Sequence, residues 1–570
     1  MQTDIYKGVP PHPSDVNDSI EVTDIVAKKE STVEATGTSK DMSSEEEKVQ
    51  EVSNPEQNTE IEYPTAPKLA LLTIGLALVI FVVALDNTII ATAIPTITTV
   101  FDSLDDVGWY GSSYLLTTTS LQPSFGKIYT YFNVKWTYLS ALVLFEIGSI
   151  ICASATSSPM LIIGRAVAGA GASALFSGGM TIIGFSVPLN KMPIYIAALS
   201  GMFGIASVVG PILGGALTDK VSWRWCFWIN LPFGGMAFLA VLIFFKPPKR
   251  DVGNLTVMEK LKKLDIIGAF FLICAIVCLL LALQDGGTDY AWGTPRIWGL
   301  LLGFGLIIIV FSLIQFRLGD DATIPPRLFR QRTVFTGSIF TFLLSMGLYT
   351  HIYYLPFYFQ AVKGTTAEGS GIRSIPYLIS ITTASLIVGG LITKIGYYVP
   401  FLWIGSAIFT IGSGLIFTLR VSSNAGQWIG YQILTGLGAG AGLQVPFLAV
   451  QAVLNTKEMP VGNAMIMFFN SMGGAISISI AQNVFSNSLT KEIPEYTTGV
   501  DPNDIVSSGA TYIRQDVAAD QLAGVLEAYT TALDTAFILP IAVAAMAFFV
   551  SLFMEWNSVK GKKIVHSGVS

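Results

Sequence analysis

Three ionisable side chains stand deep inside long apolar runs of this chain: Asp86, Glu146 and Arg165. A charge in hydrocarbon is expensive, and the acids and bases kept there usually pair, relay protons or bind a substrate. Asp86 lies roughly 17 residues into a run that begins near 69, and Arg165 roughly 5 residues into one that begins near 160. If successive runs cross a bilayer in alternating directions, both reach a similar depth in its outer part. An Asp–Arg ion pair is then geometrically available. Glu146 lies near the middle of its own run, where a carboxyl can load and unload a proton. His351 is the one histidine within a run, and an imidazole can relay protons or bind substrate. These four are the proton-coupling candidates. The plainer alternatives are a structural ion pair and a histidine satisfied by Tyr349, Tyr353 and Tyr354.

Uncharged polar residues recur in the same runs. Asn87, Gln122, Gln444, Gln451 and Asn470 are candidates to line a substrate cavity, with interhelical hydrogen bonding as the competing reading. The fifth run carries Gly210, Pro211, Gly214 and Gly215. Small residues at such spacings let helices approach closely, and a proline bends its helix. A bent, tightly packed helix can act as a permeability seal.

The elements that must position these residues are spanning helices. Of the 570 residues, 52% are hydrophobic and 13% charged, against about 25% charged in soluble domains. A soluble enzyme, a nucleic-acid binder and a disordered scaffold are excluded as readings of the whole chain. A spanning helix needs about 20 apolar residues. Candidates lie near 69–92, 108–127, 136–155, 160–183, 193–217, 225–245, 265–284, 297–316, 333–359, 372–393, 399–419, 427–452, 461–487 and 534–554, which makes fourteen. The four cysteines, Cys152, Cys226, Cys274 and Cys278, fall in or beside these runs and suit neither a disulfide framework nor a metal site. No cofactor is expected.

Residues 1–68 hold 15 acids and 6 bases without an apolar period, and are expected to be a disordered acidic tail. With that tail in the cytosol, the inner connections hold 18 basic residues and the outer ones 8. The positive-inside rule therefore places both termini in the cytosol. A weak repeat joins Arg165-Ala-Val-Ala-Gly-Ala-Gly-Ala to Gln432-Ile-Leu-Thr-Gly-Leu-Gly-Ala, aligning Gly169 with Gly436 and Gly171 with Gly438. It suggests two six-helix halves, 69–245 and 333–554. Between them lies a linker, 246–332, with two extra helices. The second half is expected to carry an external loop, 488–533, with a short amphipathic helix around 515–530, and a cytoplasmic tail, 555–570, to follow it.

Four segments carry a family resemblance: LDNTIIATAIPTI at 85–97, LIIGRAVAGAGASALFSGG at 161–179, GIASVVGPILGGALTD at 204–219 and WRWCFWINLPFGG at 223–235. The chain resembles the major facilitator superfamily, specifically its fourteen-spanning drug:proton antiporters in the form found in fungi. The GPxxGG run resembles that family's antiporter motif, with Ala206 in place of its usual leading glycine. The family's fourth-helix arginine and first-helix aspartate fall on Arg165 and Asp86, and the resemblance ties them to proton coupling. The loop between helices two and three departs from the family's G-x-L-A-D-R-x-G-R-[RK]. Here it reads GKIYTYFNVK, 126–135, with Thr130 for the aspartate and Asn133 for the second glycine.

The resemblance implies an all-α polytopic membrane protein with the major-facilitator fold and fourteen helices. It implies a monomeric, proton-coupled efflux pump for a toxin, drug or secondary metabolite, in the plasma membrane, with small molecules, protons and lipid as its partners. A siderophore or vacuolar basic-amino-acid transporter of the same fold, in the vacuolar membrane for the latter, is the alternative. A sensor would need a large soluble domain. An ATP-driven pump would need a G-x-x-x-x-G-K-[ST] loop, and Gly126-Lys127 is followed by Ile128.

Overall fold

The computed structural model describes residues 64–101, 107–247, 256–287, 290–502, 505 and 513–560. The expected acidic tail up to 63 and the end of the chain from 561 lie outside the described residues.

Fourteen long helices lie among the described residues. The first half holds α1 (Ala66–Phe101), α2 (Val107–Tyr131), α3 (Val134–Ala153), α4 (Ser158–Ser186), α5 (Met192–Lys220) and α6 (Asn230–Phe244). An inserted hairpin follows, α7 (Ile266–Asp285) and α8 (Pro295–Leu318). The second half holds α9 (Arg332–Phe357), α10 (Ala367–Ile395), α11 (Val399–Phe417), α12 (Ala425–Leu443, continued by Val445–Val453), α13 (Met459–Tyr496) and α14 (Leu522–Ser551). Thirteen spans are long and apolar enough to cross a membrane. The remaining helix, α2, is 25 residues long but carries Ser112, Ser113, Thr117, Thr118, Thr119 and Ser120.

Local sequence sets several helix ends. Asn133 caps α3 by accepting from Lys135 N at 3.0 Å, so the residue standing for the family's glycine works as a helix start. Asn424 and Gln427 form a capping box on α12. Gly396, at φ 93°, ends α10 in the left-handed region that glycine tolerates. Some helices outrun their apolar runs. Polar residues lengthen α13 to Tyr496, and α14 starts at Leu522, so much of the amphipathic segment expected near 515–530 is the first turns of α14. Apolar length measures the hydrocarbon thickness, whereas a helix can continue through the interface.

The halves repeat one packing scheme. In the first, α1 packs on α5 and α6, α4 on α2 and α3, and α3 on α6. In the second, α9 packs on α13 and α14, α12 on α10 and α11, and α11 on α14. The aligned glycines do the same steric work in both. A Cβ on Gly169 would lie 2.4 Å from Tyr114 O, and one on Gly436 would lie 2.5 Å from Tyr377 O. A Cβ on Gly171 would lie 2.4 Å from Phe145 N, and one on Gly438 would lie 2.2 Å from Phe409 N. The repeat is therefore a pair of backbone-to-backbone crossings.

The halves meet along two seams, α2 against α13 and α5 against α10. The hairpin lies outside the first seam, with α7 leaning on both α2 and α13. A small apolar cluster of Leu272, Ile276, Phe311 and Phe468 joins it to α13. The outer face of α8 exposes Trp298, Leu302, Leu306, Ile309, Leu313 and Phe316, a stripe suited to lipid.

Candidate functional site

An even number of spans brings the start of α1 and the end of α14 to one face of the bundle, here termed the terminal end. Asp86 and Arg165 lie toward the opposite end, fully buried among α1, α2, α3, α4 and α6. Arg165 Nη1 donates to Asp86 Oδ2 at 2.5 Å, and its Nε donates to the Tyr110 carbonyl at 2.9 Å. Its guanidinium lies 4.3 Å from the centroid of the Tyr114 ring. The second carboxylate oxygen of Asp86 accepts from Asn230 Nδ2 at 2.9 Å, and that amide also reaches Ser149 Oγ at 3.1 Å. The depth argument thus finds the pair in contact. One guanidinium nitrogen, Nη2, has no hydrogen-bond partner among the described residues.

Glu146 belongs to the same cluster. It stands one turn before Ser149 on α3 and faces Gly234, one turn after Asn230 on α6. Among the described residues, no donor reaches either of its buried carboxylate oxygens. Two acids, one base and one amide are therefore held by four helices, with a single close ion pair among them. Such a site has two acidic groups for a proton and one cation to share between them.

The antiporter-motif glycines press α5 onto the helix that bears Asp86. A Cβ on Gly214 would lie 2.5 Å from Ile89 O, and one on Gly210 would collide with the Thr88 side chain. Thr88 Oγ1 in turn donates to Ala206 O at 3.3 Å. Gly215 has open space at its Cβ position, and Pro211 lies inside the helix. The helix bearing Asp86 is thereby packed backbone-close against α5, one of the seam helices.

In the second half the equivalent place is uncharged. Gln432 stands where Arg165 does, fully buried, and its Nε2 donates to Arg373 O at 3.0 Å as Arg165 Nε does to Tyr110 O. His351 is buried among Tyr377, Phe409 and Phe537, with ring centroids 5.9, 5.6 and 5.9 Å away. Its Nδ1 lies 3.4 Å from the Tyr377 hydroxyl, and its Nε2 has no partner.

The polar candidates divide between the seam and the halves. Gln122 Nε2 donates to Ser471 Oγ at 3.1 Å across the seam. Gln451 Nε2 donates to Met180 O at 3.3 Å and to Asn463 Oδ1 at 3.1 Å, and Asn463 Nδ2 reaches Thr181 Oγ1 at 3.2 Å. Asn470 bonds Ser345 within the second half at 2.7 Å. Gln444 lines a small cavity with Pro193, Ala197, Ser385 and Gly440. Asn87 is half-buried beside Asp86. The Gln122 and Gln451 links join the halves toward the terminal end. At the opposite end the contacts of Arg224 with Ala155 O, Lys363 with Val421 O and Arg420 with Asp534 stay within one half.

Asn230 escaped the sequence reading. Its only signal was an amide between aromatic and apolar neighbours at the start of a span. Asn230→Ala would leave Asp86 Oδ1 without its donor, worth about 1–3 kcal/mol for a charged acceptor. Transport should fall about tenfold at matched surface expression. Unchanged transport would make the bond dispensable.

Two six-helix halves repeating one packing scheme, with a buried charge cluster in one of them, define a secondary-transporter fold. The pattern of the Major Facilitator Superfamily matches residues 76–478. The MFS-type efflux pump MFS1 of Arthroderma benhamiae is 48% identical over 505 residues, covering 88% of this chain and 94% of the relative. Efflux pump roqT of Penicillium rubens is 47% identical over 489 residues, covering 86% and 91%. Among solved structures, the proton:xylose symporter XylE aligns with a TM-score of 0.55 at 14% identity, covering 87% of this chain and 97% of that one. The human organic anion transporter MFSD10 aligns with a TM-score of 0.53 at 13% identity, covering 84% and 99%. The chain belongs to the Major Facilitator Superfamily and is a multi-pass membrane transporter.

Proposed function

We propose that this chain is a monomeric plasma-membrane exporter that uses inward proton flow to expel small, mostly apolar organic molecules. The observation that carries the proposal is the buried Asp86–Arg165 pair, tied through α1 to the glycine motif of α5. The efflux pumps related to this chain support the direction of transport. The terminal end is read as cytosolic, because basic residues concentrate in the connections there. The links joining the halves at that end then make this a state closed to the cytosol.

In the proposed cycle, a proton from outside reaches Asp86 and weakens its hold on Arg165. The unpaired Nη2 and the acceptor-only Glu146 give the arginine and the proton a second resting place. The pair re-forms once the cytosolic end opens and the proton leaves. His351, ringed by aromatics, is assigned packing and no share of the proton. His351→Phe should therefore retain most efflux and its pH profile, measured beside wild type in the same cells.

The orientation has its own test. A reporter inserted after residue 320 should be cytosolic, and one at 505 external. An external reporter at 320 would invert the proposed direction. A protonophore should abolish efflux, and export against a gradient in its presence would end the antiport reading.

A further inference from the structure

The segment 319–332, between the inserted hairpin and α9, does more than connect them. Its first residues grip the first half. Lys127 Nζ, buried near the end of α2, donates to Asp320 O at 2.5 Å, and Tyr131 OH donates to Asp321 Oδ1 at 3.1 Å. Its next residues grip the second half. Arg327 pairs with Asp320 Oδ1 at 3.0 Å and, through its other arm, with Glu458 at the N-cap of α13. Thr130, in the place of the family's missing aspartate, donates to Lys457 O at 3.4 Å. Thr130–Lys457 bridges the α2–α13 seam directly, and the segment bridges it by holding α2 through Lys127 and Tyr131 and α13 through Glu458.

The segment is itself anchored to the hairpin. Asp265, buried at the start of α7, accepts from Thr323 N and Oγ1 at 2.9 Å each, from Gln315 Nε2 at 2.8 Å and from Gly268 N at 2.8 Å. Ile324 N donates to Gln315 Oε1 at 2.8 Å. Asp265 has φ 40°, the one positive φ outside glycine among the described residues. A non-glycine side chain is strained there, and these hydrogen bonds hold it in place.

We propose that residues 319–327 form a latch that clasps α2 to α13 and holds the terminal end shut. For the terminal end to open, α2 and α13 must part. The latch must then release either Lys127 and Tyr131 or Glu458, because Asp265 keeps its middle on the hairpin. The exposed Arg327–Asp320 pair contributes little by itself. The buried Lys127 and half-shielded Glu458 contacts carry most of the hold. The proposal rests on the transporter reading, in which the two ends open in turn.

The test measures separation, not flux. Spin labels at Trp136→Cys and Lys394→Cys, on exposed positions of the two halves, report the terminal-end distance in the purified full chain with its four native cysteines changed to alanine. Wild type should be mostly short. Arg327→Ala, Asp321→Ala and Lys127→Met should each raise the long-to-short ratio, about three- to tenfold for Lys127→Met. Arg327→Lys should restore part of the short population, which separates a lost contact from misfolding. Variants with the wild-type distribution overturn the latch, as does a wild type that is already mostly long. Failure of the transporter reading shows instead as absent proton-driven flux from the same preparation in liposomes.

Discussion

Asp86→Asn should leave a folded protein whose efflux no longer rises with external acidity. Asparagine preserves shape but cannot titrate, and its single acceptor oxygen replaces only one of the two oxygens that accept from Arg165 and Asn230. Efflux at the most favourable pH should fall at least about tenfold, since the proton step carries the energy. Arg165→Ala should be worse. It leaves Asp86 buried without its cation, a loss of about 3–5 kcal/mol when one partner of a buried pair is removed. Both stability and transport should drop. Arg165→Lys should be partly defective, because an ammonium cannot reach Asp86, Tyr110 O and the Tyr114 face together as the planar fork does. Efflux against external pH, at matched surface expression, checks all three. If Asp86→Asn keeps the normal pH profile, the pair is structural and Glu146 becomes the proton carrier.

The second large effect lies in packing. Gly171→Leu and Gly438→Leu should each remove most of the folded protein. Even the first side-chain carbon would lie 2.4 Å from Phe145 N or 2.2 Å from Phe409 N, and a backbone cannot rotate away as a side chain can. Inserting one or two methylenes into a packed core costs about 1–3 kcal/mol, and here whole helices must part. Gly414→Ala and Gly430→Ala meet nothing within 4 Å and should be nearly silent. Monodisperse yield and thermal unfolding of the purified variants decide this. Equal losses at all four positions would mean that the close crossings do not set stability.

The depth of Asp86 and Arg165 was legible in the sequence because spans have a fixed rise per residue, so counting along two antiparallel runs places both at one level. The glycine repeat was legible for a related reason. A backbone crossing tolerates only a hydrogen, and two such crossings at matched positions leave a mark in each half. Asn230 was not legible, because an amide at a span's start reads the same whether it caps a helix, meets lipid headgroups or binds a carboxylate. The grouping of Glu146 with the pair was equally hidden. It depends on how α3 and α6 rotate about their axes, which apolar runs nearly uniform around the helix do not specify. Gln122 and Gln451 read equally as cavity-lining or interhelical hydrogen-bonding residues, and the fold gives each a hydrogen bond across the seam. The contacts of Asp320, Asp321 and Arg327 depend on where the hairpin docks, and its exposed charges carry no periodicity that would reveal it.

A proton gradient, and nothing else, is proposed to drive small organic molecules through this chain. The most direct measurement places the purified protein in liposomes with an acid interior and follows uptake of rhodamine 6G and a panel of fungal metabolite extracts, without ATP. Accumulation should collapse with a protonophore and be absent from Asp86→Asn liposomes. Accumulation that survives the protonophore, or that is the same with and without the acid interior, would contradict the proposal.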